Sequence, residues 1–189
     1  MLRYVILAIG SFNYIHSKTG NMLIRYCNDE VVAIIDPDQS GKIAKQVLGW
    51  GGDIPCVSSF KETLKFLPTH LVIGSAPQGG TLDSKELFEI QNAIDNGCHI
   101  ISGMHFLLNG DIELVKRAKE NGASLTDLRK PPFPPKFPRG SWKDRKFPVM
   151  LIVGSDCDTG KMTAAWELTI ALKTKYKNVE FIGTGQTGI

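Results

Sequence analysis

The chain has 189 residues, of which 42% are hydrophobic and 22% are charged, so we expect a globular protein with one full domain and part of a second. The net charge of +3 is too small to indicate a nucleic-acid-binding protein, and no basic stripe is interleaved with aromatic residues. The N-terminal apolar run is too short for a signal peptide, and no run approaches the roughly 20 residues of a membrane span. These features favour a cytoplasmic protein that has no membrane partner.

The four cysteines, Cys27, Cys56, Cys98 and Cys157, are widely spaced. They form no C-x-x-C motif, and no paired histidines accompany them, so the sequence predicts reduced thiols and no metal site. Cys157 precedes a predicted helix, where a thiol either has a lowered pKa or simply fills the loop.

Up to about residue 129, short apolar runs rich in β-branched residues alternate with helical patterns. The predicted strands are 4–9, 31–35, 54–57, 70–73, 99–101 and 123–125. The predicted helices are 20–26, 42–48, 60–66, 84–96 and 112–121, the last two ending at Asn-Gly pairs. This alternation is typical of a parallel sheet with helices on both faces, so residues 1–129 are predicted to form a Rossmann-like α/β domain.

Ligands of such a sheet bind in the loops at the carboxyl ends of its strands. The loop after the first strand lacks the G-x-G-x-x-G dinucleotide fingerprint. Asp36 either binds a ribose hydroxyl or ends its strand in an ordinary Asp-Pro turn. Residues 17–19 either cap the next helix or bind an anion, and the glycine-rich segment 74–80 either approaches a ligand or forms a surface turn. His105 is either an acid or base or a hydrogen-bonded loop histidine.

The composition changes abruptly from residue 130 to residue 148. Six prolines occur in 131–148, and six basic residues against one acidic residue give the segment a charge of +5. This composition predicts an extended linker between two domains, because proline cannot continue a helix or a central strand. A ligand of SH3-type domains is the alternative.

A glycine-rich turn follows the apolar run 149–153, which we predict to be a strand. Gly154, Gly160 and Lys161 have the G-x-x-x-x-G-K spacing, in which backbone N–H groups surround phosphate oxygens and the lysine reaches further along the phosphate chain. A plain strand-to-helix turn is the alternative. The predicted phosphate-binding residues are Gly154, Ser155, Asp156, Cys157, Asp158, Thr159, Gly160, Lys161, Met162 and Thr163.

One position of this motif differs from the full pattern. Met162 replaces the Ser or Thr whose hydroxyl normally holds Mg²⁺, and Thr163 points about 100° further round an α-helix. The loop is therefore better suited to holding phosphate than to metal-assisted hydrolysis.

The rest of the chain predicts the start of a P-loop NTPase-like α/β domain over residues 149–189. A helix from 161 to about 175 places Ala165, Leu168 and Leu172 on one face, and 179–182 is predicted to be a strand. About 40 residues bury too little surface to form a domain alone, so we expect a truncated or split form of a longer protein.

Seven segments, in the same order along the chain, resemble the DgcN-like family. They are SKTG at 17–20, DEVVAIID at 29–36, LGWGGDIP at 48–55, GSAPQGG at 74–80, DLRKPP at 127–132, GSDCDTGKMT at 154–163 and GTGQTGI at 183–189. The resemblance implies a Rossmann-like domain followed by a P-loop domain similar to that of dethiobiotin synthetase, in chains that continue well beyond Ile189. Asp158 and Thr159 replace the small apolar pair expected before Gly160, which leaves the nucleotide preference open.

The resemblance also implies an enzyme that uses acetyl-CoA to acetylate the nitrogen of an amino acid such as D-glutamate. Phosphate binding without a Mg²⁺-holding hydroxyl agrees with that donor. An ATP-dependent kinase or ligase that uses Mg²⁺, and a non-catalytic nucleotide-binding module, are the alternatives. The acceptor, the catalytic base and homo-oligomerisation remain open.

Overall fold

The computed structural model describes residues 1–75, 82–130, 140–155 and 159–183. The chain divides into two compact units, Met1–Lys130 and Pro131–Ile189. No helix in the described ranges is both long enough and apolar enough to cross a membrane.

The first unit contains one six-stranded sheet in which every neighbouring pair of strands is parallel. Its strands are β1 (Tyr4–Leu7), β2 (Val31–Ile35), β3 (Cys56–Val57), β4 (His70–Ile73), β5 (His99–Ser102) and β6 (Leu125–Asp127). Its helices are α1 (Lys18–Tyr26), α2 (Ala44–Leu48), α3 (Phe60–Thr63), α4 (Ser84–Asp95) and α5 (Ile112–Glu120). The strand order β3-β2-β1-β4-β5-β6 confirms the predicted Rossmann-like fold.

The sheet is covered on both faces, which explains why its strands are almost continuously apolar. Val5 and Leu7 belong to a core that also contains α3, α4 and α5 residues such as Ile90. Ile6, between them in sequence, belongs to the opposite core, together with Ile24 of α1. Val5, Ile6, Leu7 and Ile90 are completely buried.

Four predicted strands have different bounds, β5 by one residue only, because pairing with a neighbour, rather than apolar composition, decides where a strand ends. β1 stops at Leu7, and a turn follows in which the Ser11 N–H donates to the Ala8 carbonyl at 3.0 Å. β3 begins only at Cys56, where it pairs with β2. β6 lies two residues beyond the predicted 123–125 because its register with β5 runs as far as Asp127.

The helices follow the prediction closely, apart from the one expected at 60–66. That segment divides into α3 and a 3₁₀ helix, Leu64–Phe66. The long helices α4 and α5 end at Asp95 and Glu120, so the predicted stops at the two Asn-Gly pairs are confirmed.

The second unit contains one α-helix, α6 (Lys161–Lys173), in its described residues. The three residues predicted to share one face of this helix, Ala165, Leu168 and Leu172, are half-buried, whereas the buried residue is Thr169. Trp166 packs edge to face against Phe181, with ring centroids 5.3 Å apart. The predicted linker contains one short 3₁₀ helix, Ser141–Asp144, within its described part.

The predicted strands at 149–153 and 179–182 are wrong. Neither segment pairs with another strand in the described part of the chain, and a strand needs such a neighbour to satisfy its backbone donors and acceptors. Leu151 and Val153 are 74% and 75% exposed, so these apolar side chains are not packed in a core.

Candidate functional site

The predicted phosphate loop brings the backbone of Gly154 close to the side chains of Thr159 and Lys161. The Lys161 Nζ donates to the Thr159 Oγ1 at 3.2 Å. A Cβ atom at Gly154 would lie 2.5 Å from the Thr159 Oγ1 and 2.9 Å from the Lys161 Cγ. A side chain at this position would therefore have to displace the Thr159 hydroxyl and the stem of Lys161.

Gly160 begins α6 in the left-handed conformation, with a φ of 81°, which explains why the motif needs glycine here. Gly160 is the N-cap residue of α6 and has no side chain, so no side-chain hydrogen bond caps the first turn of this helix. The first N–H groups of a helix lack intrahelical partners and carry partial positive charge. Together with the Lys161 ammonium, they suit the oxygens of a phosphate.

Met162 is 52% exposed at the position where a P-loop hydroxyl is expected, and Thr163 is half-buried one residue later. The methionine thioether offers a poor ligand for Mg²⁺, which prefers oxygen. Residues 156–158 lie outside the described residues, so the predicted contributions of Asp156, Cys157 and Asp158 stay predictions.

The first unit offers a second candidate region at the carboxyl edge of its sheet. β1 and β4 are neighbours here, although their connections leave in opposite directions along the sheet, and ligands of open α/β sheets bind at such a switch point. The loops after β1 and β4 and the start of α1 meet at this edge.

Ser17 occupies the N-cap position of α1, where its carbonyl oxygen accepts from the Asn21 N–H at 2.7 Å, but its side chain makes no capping hydrogen bond. Its buried hydroxyl instead donates to the Gly74 carbonyl oxygen at the end of β4, at 3.4 Å. The Gly20 N–H points to the same oxygen at 3.5 Å. The start of α1 is therefore occupied by a backbone carbonyl, which does not favour the anion-binding alternative.

Asp36, at the end of β2, is 1% exposed and binds the loop that follows β1. One carboxylate oxygen accepts from the Gly10 N–H and the other accepts from the Phe12 N–H, each at 3.0 Å. The first oxygen also accepts from the Asp38 N–H at 3.1 Å. Since both oxygens are engaged, the geometry supports the turn interpretation of Asp36 over the ribose interpretation.

A Rossmann-like fold implies a binding site for a nicotinamide dinucleotide. The contacts described above show that the residues present do not fit this cofactor. The Gly74 carbonyl occupies the helix start that would face the pyrophosphate. A Cβ at Gly20 or at Gly74 would lie 2.8 or 2.5 Å from the Ile6 Cγ2, so these backbones are already in close contact. Asp36 is 1% exposed and three backbone N–H groups already occupy its two oxygens, so it does not present a free carboxylate to a ribose.

The other candidates from the sequence contribute less. His105 is exposed and makes no hydrogen bond with the residues described, so a hydrogen-bonded loop histidine is not observed. The glycine-rich segment after Ser75 lies outside the described residues as far as Thr81.

A cavity of about 410 Å³ at the carboxyl edge contains residues that the sequence analysis missed. Glu89 of α4 lines it, is 7% exposed, and accepts from the Phe60 N–H at 2.6 Å. Glu89 lies on the same face of α4 as the buried Ile90 and Ala93. A carboxylate on the apolar face of a predicted helix is the sequence signal that could have identified it.

Comparison with known families agrees with this architecture. Residues 37–131 match the Rossmann-like N-terminal domain of DUF1611, a domain of unknown function, and residues 136–189 match the P-loop domain of the same family. The chain belongs to the DUF1611 family. The predicted order of a Rossmann-like domain and a P-loop domain is thereby confirmed.

Two curated relatives have a named activity. A D-glutamate N-acetyltransferase of Pseudoalteromonas sp. is 39% identical over 131 residues, which are 69% of this chain and 39% of the relative. A D-glutamate N-acetyltransferase of Tritonibacter scottomollicae is 33% identical over 119 residues, which are 63% of this chain and 35% of the relative. The resemblance predicted from the seven segments is confirmed by these matches.

A solved structure of the family has the same fold. The crystal structure of a DUF1611 family protein from Anabaena variabilis is 31% identical, with a TM-score of 0.89, and the match covers 100% of this chain and 55% of that chain. The present chain therefore spans between about a third and just over half of the lengths of these three proteins.

Proposed function

We propose that this DUF1611 chain takes part in the acetyl-CoA-dependent N-acetylation of an amino acid such as D-glutamate. The observation that carries the proposal is the 39% identity to a curated D-glutamate N-acetyltransferase over 131 residues. Because the chain spans 39% of that relative, the activity is proposed for the protein to which this sequence contributes, with the donor held by the P-loop unit.

The residues of the phosphate loop fit the donor. Coenzyme A carries a pyrophosphate and a 3′-phosphate, which Gly154, Gly160 and Lys161 would hold through backbone N–H groups and the lysine ammonium. Acetyl-CoA supplies an activated acetyl thioester. Holding it requires no Mg²⁺-driven phosphoryl transfer, so the exposed Met162 side chain is compatible with the proposal.

An ATP-dependent kinase or ligase that uses Mg²⁺ is the second candidate, and the G-x-x-x-x-G-K spacing favours it. Isothermal titration of the chain with acetyl-CoA, and separately with ATP plus Mg²⁺, distinguishes the two. We expect acetyl-CoA to bind. Binding of Mg-ATP without binding of acetyl-CoA would contradict the transferase proposal, and binding of either without turnover in the full-length protein would favour a non-catalytic module.

Lys161→Ala should weaken acetyl-CoA binding by about 1.5 to 3 kcal/mol, since it removes a charge-assisted hydrogen bond to phosphate. The same titration measures the effect. Lys175→Ala is the matched control, because this exposed lysine follows the other end of α6. An unchanged dissociation constant for Lys161→Ala, with a normal melting curve, would argue against a phosphate role for the loop.

A further inference from the structure

The cavity in the first unit lies where an open α/β sheet binds its ligands. Ile9 follows β1, Pro37 follows β2 and Ser58 follows β3, so three consecutive strand ends contribute to its wall. The first turns of α4, which follows β4, form the opposite side. The cavity therefore lies at the carboxyl edge of the sheet, on the face that packs against α3 and α4.

A buried carboxylate of Glu89 lines this cavity without a cationic partner. The Phe60 N–H, at the start of α3, is its one partner among the described residues. Removing a carboxylate from water is costly unless hydrogen bonds or an opposite charge compensate it. Glu89 accepts one N–H, and its remaining acceptor capacity is open to the cavity, where the positively charged donors of a ligand can reach it.

Lys85 adds the opposite charge to the same cavity. It is exposed one helical turn before Glu89, and no ion pair joins the two side chains. A lysine that precedes a glutamate by four residues has the less favourable orientation for an intrahelical pair. The Phe88 ring, which is 60% exposed, and Pro37 add apolar surface between the polar groups.

We propose that this cavity binds a zwitterionic amino acid, with the α-ammonium group on the Glu89 carboxylate and a carboxylate group on the Lys85 ammonium. One buried anion and one cation in a small cavity match the two charges of such a ligand. The inference rests on the proposed function, since it gives the acceptor amino acid its binding site in the Rossmann-like unit.

Titration of the full chain with D-glutamate, in the presence and absence of coenzyme A, tests the proposal. Glu89→Gln removes the charge but keeps an oxygen for the Phe60 N–H, so the variant should fold normally and bind D-glutamate roughly 10- to 100-fold more weakly. Glutarate, which lacks the ammonium group, should bind weakly to both proteins. Glu113→Gln, a change at an exposed glutamate of α5, is the matched control and should bind as the unchanged chain does.

Backbone amide NMR spectra locate the bound amino acid. We expect D-glutamate to shift the signals of Phe60 and of residues 84–90. Equal affinity of the unchanged chain and Glu89→Gln, equal affinity for glutarate and D-glutamate, or shifts confined to other residues would overturn the proposal. If acetyl-CoA binds and D-glutamate does not, only the cavity proposal is overturned. If D-glutamate binds and acetyl-CoA does not, only the proposal that the P-loop unit holds the acetyl donor is overturned.

Discussion

At the scale of single residues, four buried carboxylates in the described part of the first unit accept backbone N–H groups. Three of them, Asp36, Asp127 and Glu89, differ in how completely their oxygens are used. Both oxygens of Asp36 are engaged. Asp127 likewise accepts from the Leu108 N–H at 2.8 Å and from the Asn109 N–H at 3.0 Å, one at each oxygen. Glu89 has a single described donor. The first two carboxylates hold loops in place, whereas the third has capacity left for a ligand.

The close contact between α1 and β4 gives a stability prediction at a single glycine. Gly74→Ala should reduce the free energy of unfolding by roughly 1–3 kcal/mol, because the new Cβ would lie 2.5 Å from the Ile6 Cγ2 in a fully buried position. Urea unfolding measures this loss. Gly103→Ala, at a glycine with open space around its Cβ position, is the control and should change little. Equal stability of the two variants would show that the Gly74 contact is not tight in solution.

At the scale of secondary-structure elements, the sequence predicts β2 and β4 to the residue, because their apolar runs coincide with the residues that pair. The equally apolar run 149–153 forms no strand in the described residues, so composition indicates where a strand can form but not whether it has a partner. The end of β6 at Asp127 likewise depends on its register with β5. Local sequence does not contain that information, since the pairing is tertiary.

The adjacent strands β4 and β5 begin with a pair of histidines whose rings are in contact, tilted by 45°. His70 and His99 are register partners, and their ring centroids are 4.9 Å apart. Burial, and in smaller part the neighbouring His99, lowers the pKa of His70 below its ordinary value of 6.5. The unfolded chain therefore binds a proton at His70 more readily than the folded chain does.

The lowered pKa of His70 should contribute fully to the free energy of unfolding above about pH 6.5. This contribution should decrease as the pH falls through the pKa of His70 in the folded chain. Urea unfolding at a series of pH values measures the decrease. His70→Gln should make the dependence shallower, whereas His105→Gln, at an exposed histidine, should leave it unchanged. An unaltered pH profile for His70→Gln would show that the histidine pair does not control acid stability.

At the scale of the whole molecule, the sequence indicates the two-part α/β architecture and the phosphate loop, because both depend on local patterns. It does not indicate the cavity, whose wall comes from three separate strand ends and from α4. Glu89 is distant in sequence from Ile9 and Pro37, and only the parallel sheet brings these residues together. The sequence also could not decide between the ribose and turn interpretations of Asp36, because the N–H groups that its carboxylate binds lie in the loop after β1.

The division of roles between the two units is the central claim, and hydrogen exchange read by mass spectrometry tests it most directly. Acetyl-CoA should slow exchange in peptides that cover the phosphate loop and the start of α6, and Lys161→Ala should abolish that protection. D-glutamate should instead slow exchange at the start of α3 and in the first turns of α4. Protection by acetyl-CoA at the carboxyl edge of the Rossmann-like sheet, with no change in the phosphate loop, would contradict the account.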